Sequence, residues 1–181
     1  MIKKNYFIFG YGSIIWDNKD IEPLDIIDAK LIGAHRSFNK KSNVSRGTKS
    51  KPGLVLGLEY GGECQGKVIV IKEEHYSKIL KREGGYEPIN SSLSKIIKVI
   101  DINKDEEIEN CIVFFPNPNG PNFVSSDVDL KQKSDIILKG EKGKRSDSKE
   151  YLSEIRKYLK EEGIIDNEIE KLYKLVFDNI M

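Results

Sequence analysis

Phe7-Ile-Phe-Gly-Tyr-Gly-Ser-Ile-Ile-Trp16 is an apolar run that breaks into two glycines, a tyrosine and a serine. The residues Asn5–Phe9 are rich in Tyr, Phe and Ile, which predicts a buried strand that leads into a loop. Gly10 and Gly12 allow the backbone of that loop to take a positive φ or to approach a ligand closely. Such a loop can direct successive N–H groups at an anion or a developing oxyanion, although an ordinary tight turn fits the same residues.

The composition predicts one globular domain spanning residues 1–181. Lys and Arg total 30, Asp and Glu total 29, and the net charge of +1 argues against a dedicated nucleic-acid surface. No apolar stretch approaches the ~20 residues that span a bilayer. The N-terminal segment also has too few apolar residues for a secretory signal. We therefore expect a cytoplasmic protein that binds neither nucleic acid nor a membrane.

The two cysteines, Cys64 and Cys111, lie far apart in sequence inside predicted strands. The chain has only two histidines and no CxxC pair, so the usual nitrogen and sulfur ligands of a metal site are scarce. We expect buried, reduced thiols and no metal.

Short β-rich runs predict five further strands, at Ala29–Phe38, Leu54–Glu59, Gln65–Ile71, Leu93–Ile102 and Cys111–Phe115. The Gly-Gly pair within Tyr60–Cys64 predicts a hairpin between the second and third of these. Asn39–Gly53 is a loop by composition, with basic residues and glycines. It suits either one wall of a site for an anionic ligand or a solvated basic loop.

The last third of the chain has helical periodicity. It predicts a helix over Asp127–Gly140, a helix over Lys149–Glu162 capped by Ser148, and a final helix capped by Asp166. Strands that come first and helices that come mostly later are typical of an α+β (mixed α/β) fold. We expect a largely antiparallel sheet that can curl into a small barrel, with flanking helices.

One helix is predicted among the strands, over Glu73–Glu83, and it carries a carboxylate on its apolar face. The positions 76, 79, 80 and 83 form one helical stripe, while Lys78 and Arg82 are predicted to project elsewhere. Glu83 lies in the last turn, where partial burial and the helix dipole raise a carboxyl pKa toward about 6–7, as suits a general base. Arg82 or Lys81 would oppose this rise by folding back over the carboxylate, and a terminal Glu extended into water is the alternative.

Five segments occur in the order typical of one enzyme superfamily. They are FGYGSIIW (residues 9–16), SRGTKSKPG (45–53), CQGKVIVI (64–71), KREGGYEP (81–88) and the KEYL of a late helix (149–152). Together they resemble the gamma-glutamylcyclotransferase superfamily, and within it the ChaC-type, glutathione-specific branch. The resemblance runs from Phe7 to about Leu172.

The resemblance implies a mixed, barrel-like fold in which the YGS loop and a carboxylate face each other across a pocket. Proteins of this kind cleave a gamma-glutamyl amide through attack of the glutamyl α-amine on the γ-carbonyl. For glutathione the products are 5-oxoproline and cysteinylglycine, and neither a cofactor nor a metal is used. The expected partner is therefore a small-molecule substrate, and no oligomeric state is predicted.

The resemblance also assigns site residues. The acid/base glutamate falls on Glu83, and the substrate loop falls on Gly10, Tyr11, Gly12, Ser13, Ile14 and Ile15. A substrate-binding tyrosine of related cyclotransferases falls on Tyr151. Arg46 lies in the family's basic RG loop and is a candidate to meet a carboxylate.

The chemistry fits these assignments, because an intramolecular attack needs only a folded substrate, a proton acceptor and oxyanion donors. Glu83 suits the proton transfers, and backbone N–H groups of Tyr11 to Ser13 suit the oxyanion. Ser13 is predicted to bind rather than to attack, since neither histidine has a recognisable triad setting.

The chain departs from the familiar ChaC pattern, which has one residue between the RE pair and GGY. Here Arg82-Glu83 runs directly into Gly84-Gly85-Tyr86. This shortening could shift the segment after the base and alter the choice of substrate. Two alternatives therefore stay open: a cyclotransferase for other gamma-glutamyl peptides or amines, and a non-catalytic gamma-glutamyl-binding domain.

Overall fold

The computed structural model describes residues 4–178. Its strands are β1 (Asn5–Gly10), β2 (Asp25–Ser42), β3 (Gly53–Lys72), β4 (Tyr86–Asn90), β5 (Lys98–Asp101), β6 (Glu106–Glu107) and β7 (Cys111–Pro116). Its α-helices are α1 (Glu73–Arg82), α2 (Leu130–Lys139), α3 (Ser148–Glu161) and α4 (Asn167–Tyr173). Short 3₁₀ turns occupy Ser13–Ile15, Lys19–Ile21 and Ser91–Leu93, and a π-helical turn at Lys174–Asp178 follows α4.

The strands form one sheet in the order β4-β7-β1-β3-β2-β5-β6. β1 pairs antiparallel with β3, with Ile8 opposite Ile69, and parallel with β7, with Ile8 opposite Ile112. The β4–β7, β2–β5 and β5–β6 pairs are antiparallel. A mainly antiparallel sheet followed by three helices confirms the predicted α+β class.

The predicted hairpin at Tyr60–Cys64 is wrong, because β3 runs unbroken from Gly53 to Lys72. Gly61 and Gly62 do have the positive φ values expected of a turn, +98° and +68°. Within a strand, such residues are accommodated as a local bulge. The two glycines therefore interrupt the regular backbone of β3 without reversing the chain.

Other strands also differ from the predictions, and β4 and β6 were not predicted at all. β2 continues to Ser42, so the first four residues of the predicted loop Asn39–Gly53 are strand. The predicted strand Leu93–Ile102 is reduced to β5. β4 was not predicted because Pro88 lies inside it, and proline is tolerated in this strand because β4 is at the edge of the sheet.

The chain divides into two compact units. The first contains residues 1–35 and 59–117, and the second contains residues 36–58 and 118–181. The boundaries fall inside β2, after His35, and inside β3, before Glu59. The prediction of a single domain over residues 1–181 stays a prediction.

The helix caps of the second unit are only partly those predicted. Asp147, not Ser148, caps α3, since its carboxylate accepts a hydrogen bond from the Glu150 N–H at 2.8 Å. Ser148 is buried, and its hydroxyl instead accepts a hydrogen bond from the Leu54 N–H at 2.7 Å. Asp166 caps α4 as predicted, through the Ile169 N–H.

Within residues 4–178, no helix is long and apolar enough to cross a membrane. Both cysteines are free thiols and buried, as predicted, Cys64 in β3 and Cys111 in β7. Burial raises the pKa of the Cys111 thiol well above its ordinary value, so this side chain stays protonated and serves as a small apolar core residue.

Candidate active site

The loop after β1 ends in one turn of 3₁₀ helix, Ser13–Ile15. The Ile15 N–H donates to the Gly12 carbonyl at 3.0 Å, and the Asp17 N–H donates to the Ser13 carbonyl at 2.8 Å. Because Ile15 makes the first hydrogen bond of the turn, the N–H groups of Ser13 and Ile14 have no acceptor within it. These two N–H groups are therefore the backbone donors that the turn itself leaves available.

Gly10 is needed for packing and not for a positive φ. A Cβ atom at this position would lie 2.8 Å from Ile14 Cγ2 and 2.9 Å from Ile15 Cγ1, and both isoleucines are buried. Gly12 has a φ of −142°, so the expected positive φ is absent at both glycines. The space beside Gly10 is therefore filled by the isoleucine side chains of the loop itself, and a close approach of the loop to a ligand stays a prediction.

Tyr11 connects the same loop to the sheet through a hydrogen bond. Its ring is buried, and its hydroxyl donates to the Phe114 carbonyl of β7 at 2.7 Å. A buried hydroxyl that lacked this acceptor would cost stability, so the contact favours one position of the loop. The tyrosine ring is thus an anchor beneath the loop.

The helix that leads to Glu83 buries a face that differs from the predicted one at Leu80 and also includes His75. His75 and Ile79 are buried, Tyr76 stacks on Tyr6 with ring centroids 4.1 Å apart, and Leu80 is 41% exposed. The predicted stripe is therefore right for Ile79 and wrong for Leu80. Its last member, Glu83, is the C-cap residue of α1, and its N–H donates to the Ile79 carbonyl at 2.8 Å.

The turn after Glu83 joins α1 directly to β4. The Tyr86 N–H donates to the Glu83 carbonyl at 3.0 Å, and Gly85 has a φ of +86°. A positive φ favours glycine, which lets the short segment turn from helix to strand in two residues. The main chain of Glu83 is therefore hydrogen-bonded on both sides, to α1 through its N–H and to β4 through its carbonyl.

The Glu83 side chain is only 20% exposed and lies beside Arg82, with Oε1 3.4 Å from Arg82 Nε. The contact corrects the expectation that Arg82 projects away from Glu83, and it matches the alternative in which Arg82 folds back over the carboxylate. The other alternative, a Glu83 that extends into water, does not apply. A nearby guanidinium favours the charged carboxylate, which opposes the effects of burial and the helix dipole. The raised pKa of Glu83 stays a prediction.

Arg82 also contacts the loop after β1. Its Nη2 donates to Ser13 Oγ at 3.1 Å and lies 3.4 Å from Asp17 Oδ2, while its Nη1 donates to the Asp17 carbonyl. One guanidinium thus joins the serine of the YGS loop to Glu83. The sequence analysis named Arg82 only as a cation that could fold back over Glu83, and it did not single out Asp17 or predict the contact of Arg82 with Ser13.

Arg46 and Tyr151 belong to the second compact unit, and they contact each other. The Arg46 guanidinium lies 4.7 Å from the centre of the Tyr151 ring, donates to Ser146 Oγ, and pairs with Glu154 at 3.2 Å. The carboxylate that Arg46 meets is therefore Glu154. Tyr151 is buried in the first turn of α3, where its ring also lies near Phe38.

In the described part of the chain, no group of three or more His, Cys, Asp or Glu residues is suited to a metal ion. The contacts around Ser13 and Glu83 bring together the carboxylates of Glu83 and Asp17, the Arg82 guanidinium, the Ser13 hydroxyl and backbone N–H groups. Such a set can transfer a proton and stabilise an oxyanion.

Comparison with known protein families decides the affiliation of the chain. The sequence matches the family described as ChaC-like protein over residues 6–179, which is nearly its whole length. The chain belongs to the ChaC-like family. No curated protein sequence matches this ChaC-like chain.

Solved structures share the fold of the ChaC-like chain. A glutathione-specific gamma-glutamyl cyclotransferase from yeast superposes with a TM-score of 0.81 at 17% identity, over 97% of this chain and 99% of the yeast chain. YkqA from Bacillus subtilis gives a TM-score of 0.54 at 17% identity, over 96% of this chain and 55% of its own. A gamma-glutamyl cyclotransferase gives 0.50 at 16% identity, over 95% of this chain and 99% of its own. At such low identity the similarities establish the fold, which is the gamma-glutamylcyclotransferase fold that the sequence predicts.

Proposed function

We propose that this ChaC-like protein is a gamma-glutamylcyclotransferase that cleaves glutathione to 5-oxoproline and cysteinylglycine. The observation that carries the proposal is the family match over residues 6–179, within which the YGS loop and Glu83 contact one arginine. The shared fold with the yeast enzyme, whose described specificity is for glutathione, supports the choice of substrate.

The reaction needs one bond to form and one to break. The α-amine nitrogen of the glutamyl group attacks its own γ-carbonyl carbon, and the bond from that carbon to the cysteinyl nitrogen then breaks. Because nucleophile and electrophile belong to one substrate, the protein contributes mainly by holding a folded conformer. Glu83 takes a proton from the α-ammonium and returns it to the departing nitrogen, which leaves as the free amine of cysteinylglycine.

The substrate loop, residues 10–15, acts in this proposal through its backbone and through Ser13. The side chains of Tyr11, Ile14 and Ile15 are buried beneath the loop. The N–H groups of Ser13 and Ile14 are therefore the donors that we assign to the γ-carbonyl oxygen as it becomes an oxyanion. The prediction was the N–H groups of Tyr11 to Ser13; this assignment keeps Ser13, adds Ile14 and leaves out Tyr11 and Gly12.

Substrate contacts by Arg46 and Tyr151 stay a prediction. The contacts of Arg46 with Ser146 and Glu154 support a role in holding the second unit together. We also propose a cytoplasmic location, because cytosolic proteins keep cysteines as thiols and both cysteines here are free.

The test is to incubate the purified protein with glutathione and to measure 5-oxoproline, comparing Glu83→Gln with wild type. Glutamine keeps the shape of the side chain but cannot carry the proton, so we expect turnover to fall by about 10²–10⁴-fold. Glu154→Gln is the matched control, because it changes another glutamate that pairs with an arginine, and it should retain activity.

Turnover that survives Glu83→Gln would contradict the assigned base. A panel of other gamma-glutamyl peptides and amines then tests the substrate. Release of 5-oxoproline from another member, but not from glutathione, would identify a different cyclotransferase. Binding of gamma-glutamyl compounds without any turnover would identify a non-catalytic binding domain.

A further inference from the structure

We propose that Arg82 is a positioning residue of this site, which holds Ser13 and Glu83 in one arrangement and keeps Glu83 ionised before substrate binds. The role of Arg82 in catalysis rests on the proposed function. Its structural basis is the set of contacts that one guanidinium makes with Ser13, Asp17 and Glu83.

The planar guanidinium suits this arrangement because its three nitrogens carry five N–H donors at fixed angles in one plane. Nε faces Glu83 Oε1 at 3.4 Å, Nη1 faces the Asp17 carbonyl, and Nη2 faces Ser13 Oγ at 3.1 Å. A lysine ammonium is a compact charge on a flexible stem, and it cannot reproduce this fork. The YGS loop and the end of α1 are therefore held together by the shape of arginine as well as by its charge.

Asp17 fixes the guanidinium itself. It accepts through its main-chain carbonyl, and its carboxylate lies 3.4 Å from Nη2. The Asp17 N–H in turn donates to the carbonyl of Ser13, the first residue of the 3₁₀ turn. Arg82 is thus tied at two points to the turn that carries the proposed oxyanion donors, and a shift of the turn would move Arg82 with it.

The contact with Ser13 also orients the serine hydroxyl. A hydroxyl has one hydrogen to donate and two lone pairs to accept. Because Ser13 Oγ accepts from Arg82, its hydrogen is directed away from the guanidinium and can be donated to a substrate oxygen. This arrangement makes Ser13 a donor to the substrate, in agreement with the prediction that it binds rather than attacks.

The effect on Glu83 is electrostatic. Both side chains are about one-fifth exposed, 19% for Arg82 and 20% for Glu83, so water screens their attraction only in part. The charged groups in these contacts include the Arg82 guanidinium and the carboxylates of Glu83 and Asp17. Arg82 favours the ionised form of Glu83, which is the form able to accept the proton of the substrate ammonium.

The experiment compares Arg82→Met and Arg82→Lys with wild type, and it uses Lys78→Met as the matched control. Lys78 is another cation of α1 that donates to the Asp20 carbonyl, so this control removes a cation and one such contact from the same helix. For Arg82→Met we expect kcat/KM for glutathione to fall by about 10- to 100-fold. We also expect the acid limb of its pH profile to move to higher pH, because Glu83 loses its counter-charge.

Arg82→Lys keeps the positive charge but loses the planar group with its fixed N–H donors. It should leave the acid limb close to that of wild type while kcat/KM stays reduced. Lys78→Met should match wild type in both measurements within about twofold. An acid limb that does not move in Arg82→Met, or full activity in Arg82→Lys and Arg82→Met alike, would overturn the proposal.

A second measurement separates this proposal from the proposed function. The Glu83 carboxyl carbon can be followed by NMR against pH without substrate, with Glu83→Gln used to assign the resonance. We expect its titration midpoint to be higher in Arg82→Met than in wild type, and an unchanged midpoint would refute the role of Arg82. If the midpoint moves but wild type releases no 5-oxoproline from any gamma-glutamyl compound, the proposed function fails while the effect of Arg82 on Glu83 stands.

Discussion

Arg82 in the first compact unit and Arg46 in the second each contact a serine and a glutamate, but the surroundings of the two arginines differ. Arg46 is 8% exposed and covered by the Tyr151 ring, and its carboxylate partner Glu154 is 38% exposed. Arg82 and Glu83 are equally and only partly enclosed. In the second unit, a buried arginine therefore pairs with a more exposed carboxylate, that of Glu154. In the first unit, the carboxylate of Glu83 is itself partly shielded from water.

The main chain reinforces this difference. The Arg46 N–H donates to Ser42 Oγ at 3.0 Å, and the Arg46 carbonyl accepts from the buried Ser148 hydroxyl at 3.1 Å. Arg46 is thus held through its backbone as well as its side chain, which suits a structural role. The Arg82 main chain belongs to α1, and the Arg82 side-chain contacts lead to the proposed base. We infer that stability depends more on Arg46 and that turnover depends more on Arg82.

The largest effect on stability is expected from Arg46→Met. This change removes the cation–π contact with Tyr151 and the hydrogen bond to Ser146, so the free energy of unfolding should fall by about 2–3 kcal/mol. Arg82→Met should lower it by about 1 kcal/mol, because its contacts are less buried. Urea unfolding measures the free energy of unfolding of both variants. A larger loss in Arg82→Met than in Arg46→Met would contradict the difference that we draw between the two arginines.

The two serines allow the same contrast to be tested without changing charge. Ser148→Ala leaves the buried Leu54 N–H without its acceptor, and we expect a loss of about 2 kcal/mol in unfolding free energy. Ser13→Ala should change stability by less than about 0.5 kcal/mol. It should nevertheless lower kcat/KM for glutathione by about 10-fold, through the lost hydrogen bond to substrate.

Thermal unfolding and the 5-oxoproline assay give a stability and an activity for each of the two serine variants. A strongly destabilised Ser13→Ala with normal turnover per folded molecule would show that Ser13 is a structural residue. That result would remove the difference that we draw between the two units.

A small effect that depends on pH is expected at a third arginine–glutamate pair, Arg156 with Glu170, which joins α3 to α4 at the surface. The two hydrogen bonds, of 2.8 and 3.0 Å, hold the pKa of Glu170 below its ordinary value of 4.5. A lowered pKa means that the stabilisation is present above 4.5 and is lost as the pH falls through the lowered pKa of the folded state.

Glu170→Gln should therefore cost about 0.5 kcal/mol at pH 7, a value typical of exposed pairs. The difference from wild type should shrink as the pH falls below 4.5. Unfolding free energies measured across that range provide the check, and a difference that is constant with pH would point to lost packing instead of lost charge.

Local patterns predicted a large part of the fold. The Tyr- and Ile-rich run at Asn5–Phe9 predicted β1, and the helical period predicted α1, α3 and α4, because these signals lie within a few neighbouring residues. The hairpin failed because a Gly-Gly pair suits a bulge as well as a turn. β4 was missed because its partner, β7, lies farther along the chain, and pairing with it outweighs the unfavourable Pro88.

The candidate site shows the same division. The sequence by itself determined the glycine loop, the helix that leads to Glu83 and the resemblance to a family, because each depends on the order and spacing of residues. Only the tertiary structure decided where long and polar side chains point. Arg82 donates to Ser13, which is 69 residues away in the sequence. The Ser148 hydroxyl accepts from the Leu54 N–H instead of capping its own helix. These choices depend on hydrogen-bond partners that distant parts of the chain supply, and spacing along one helix carries no information about them.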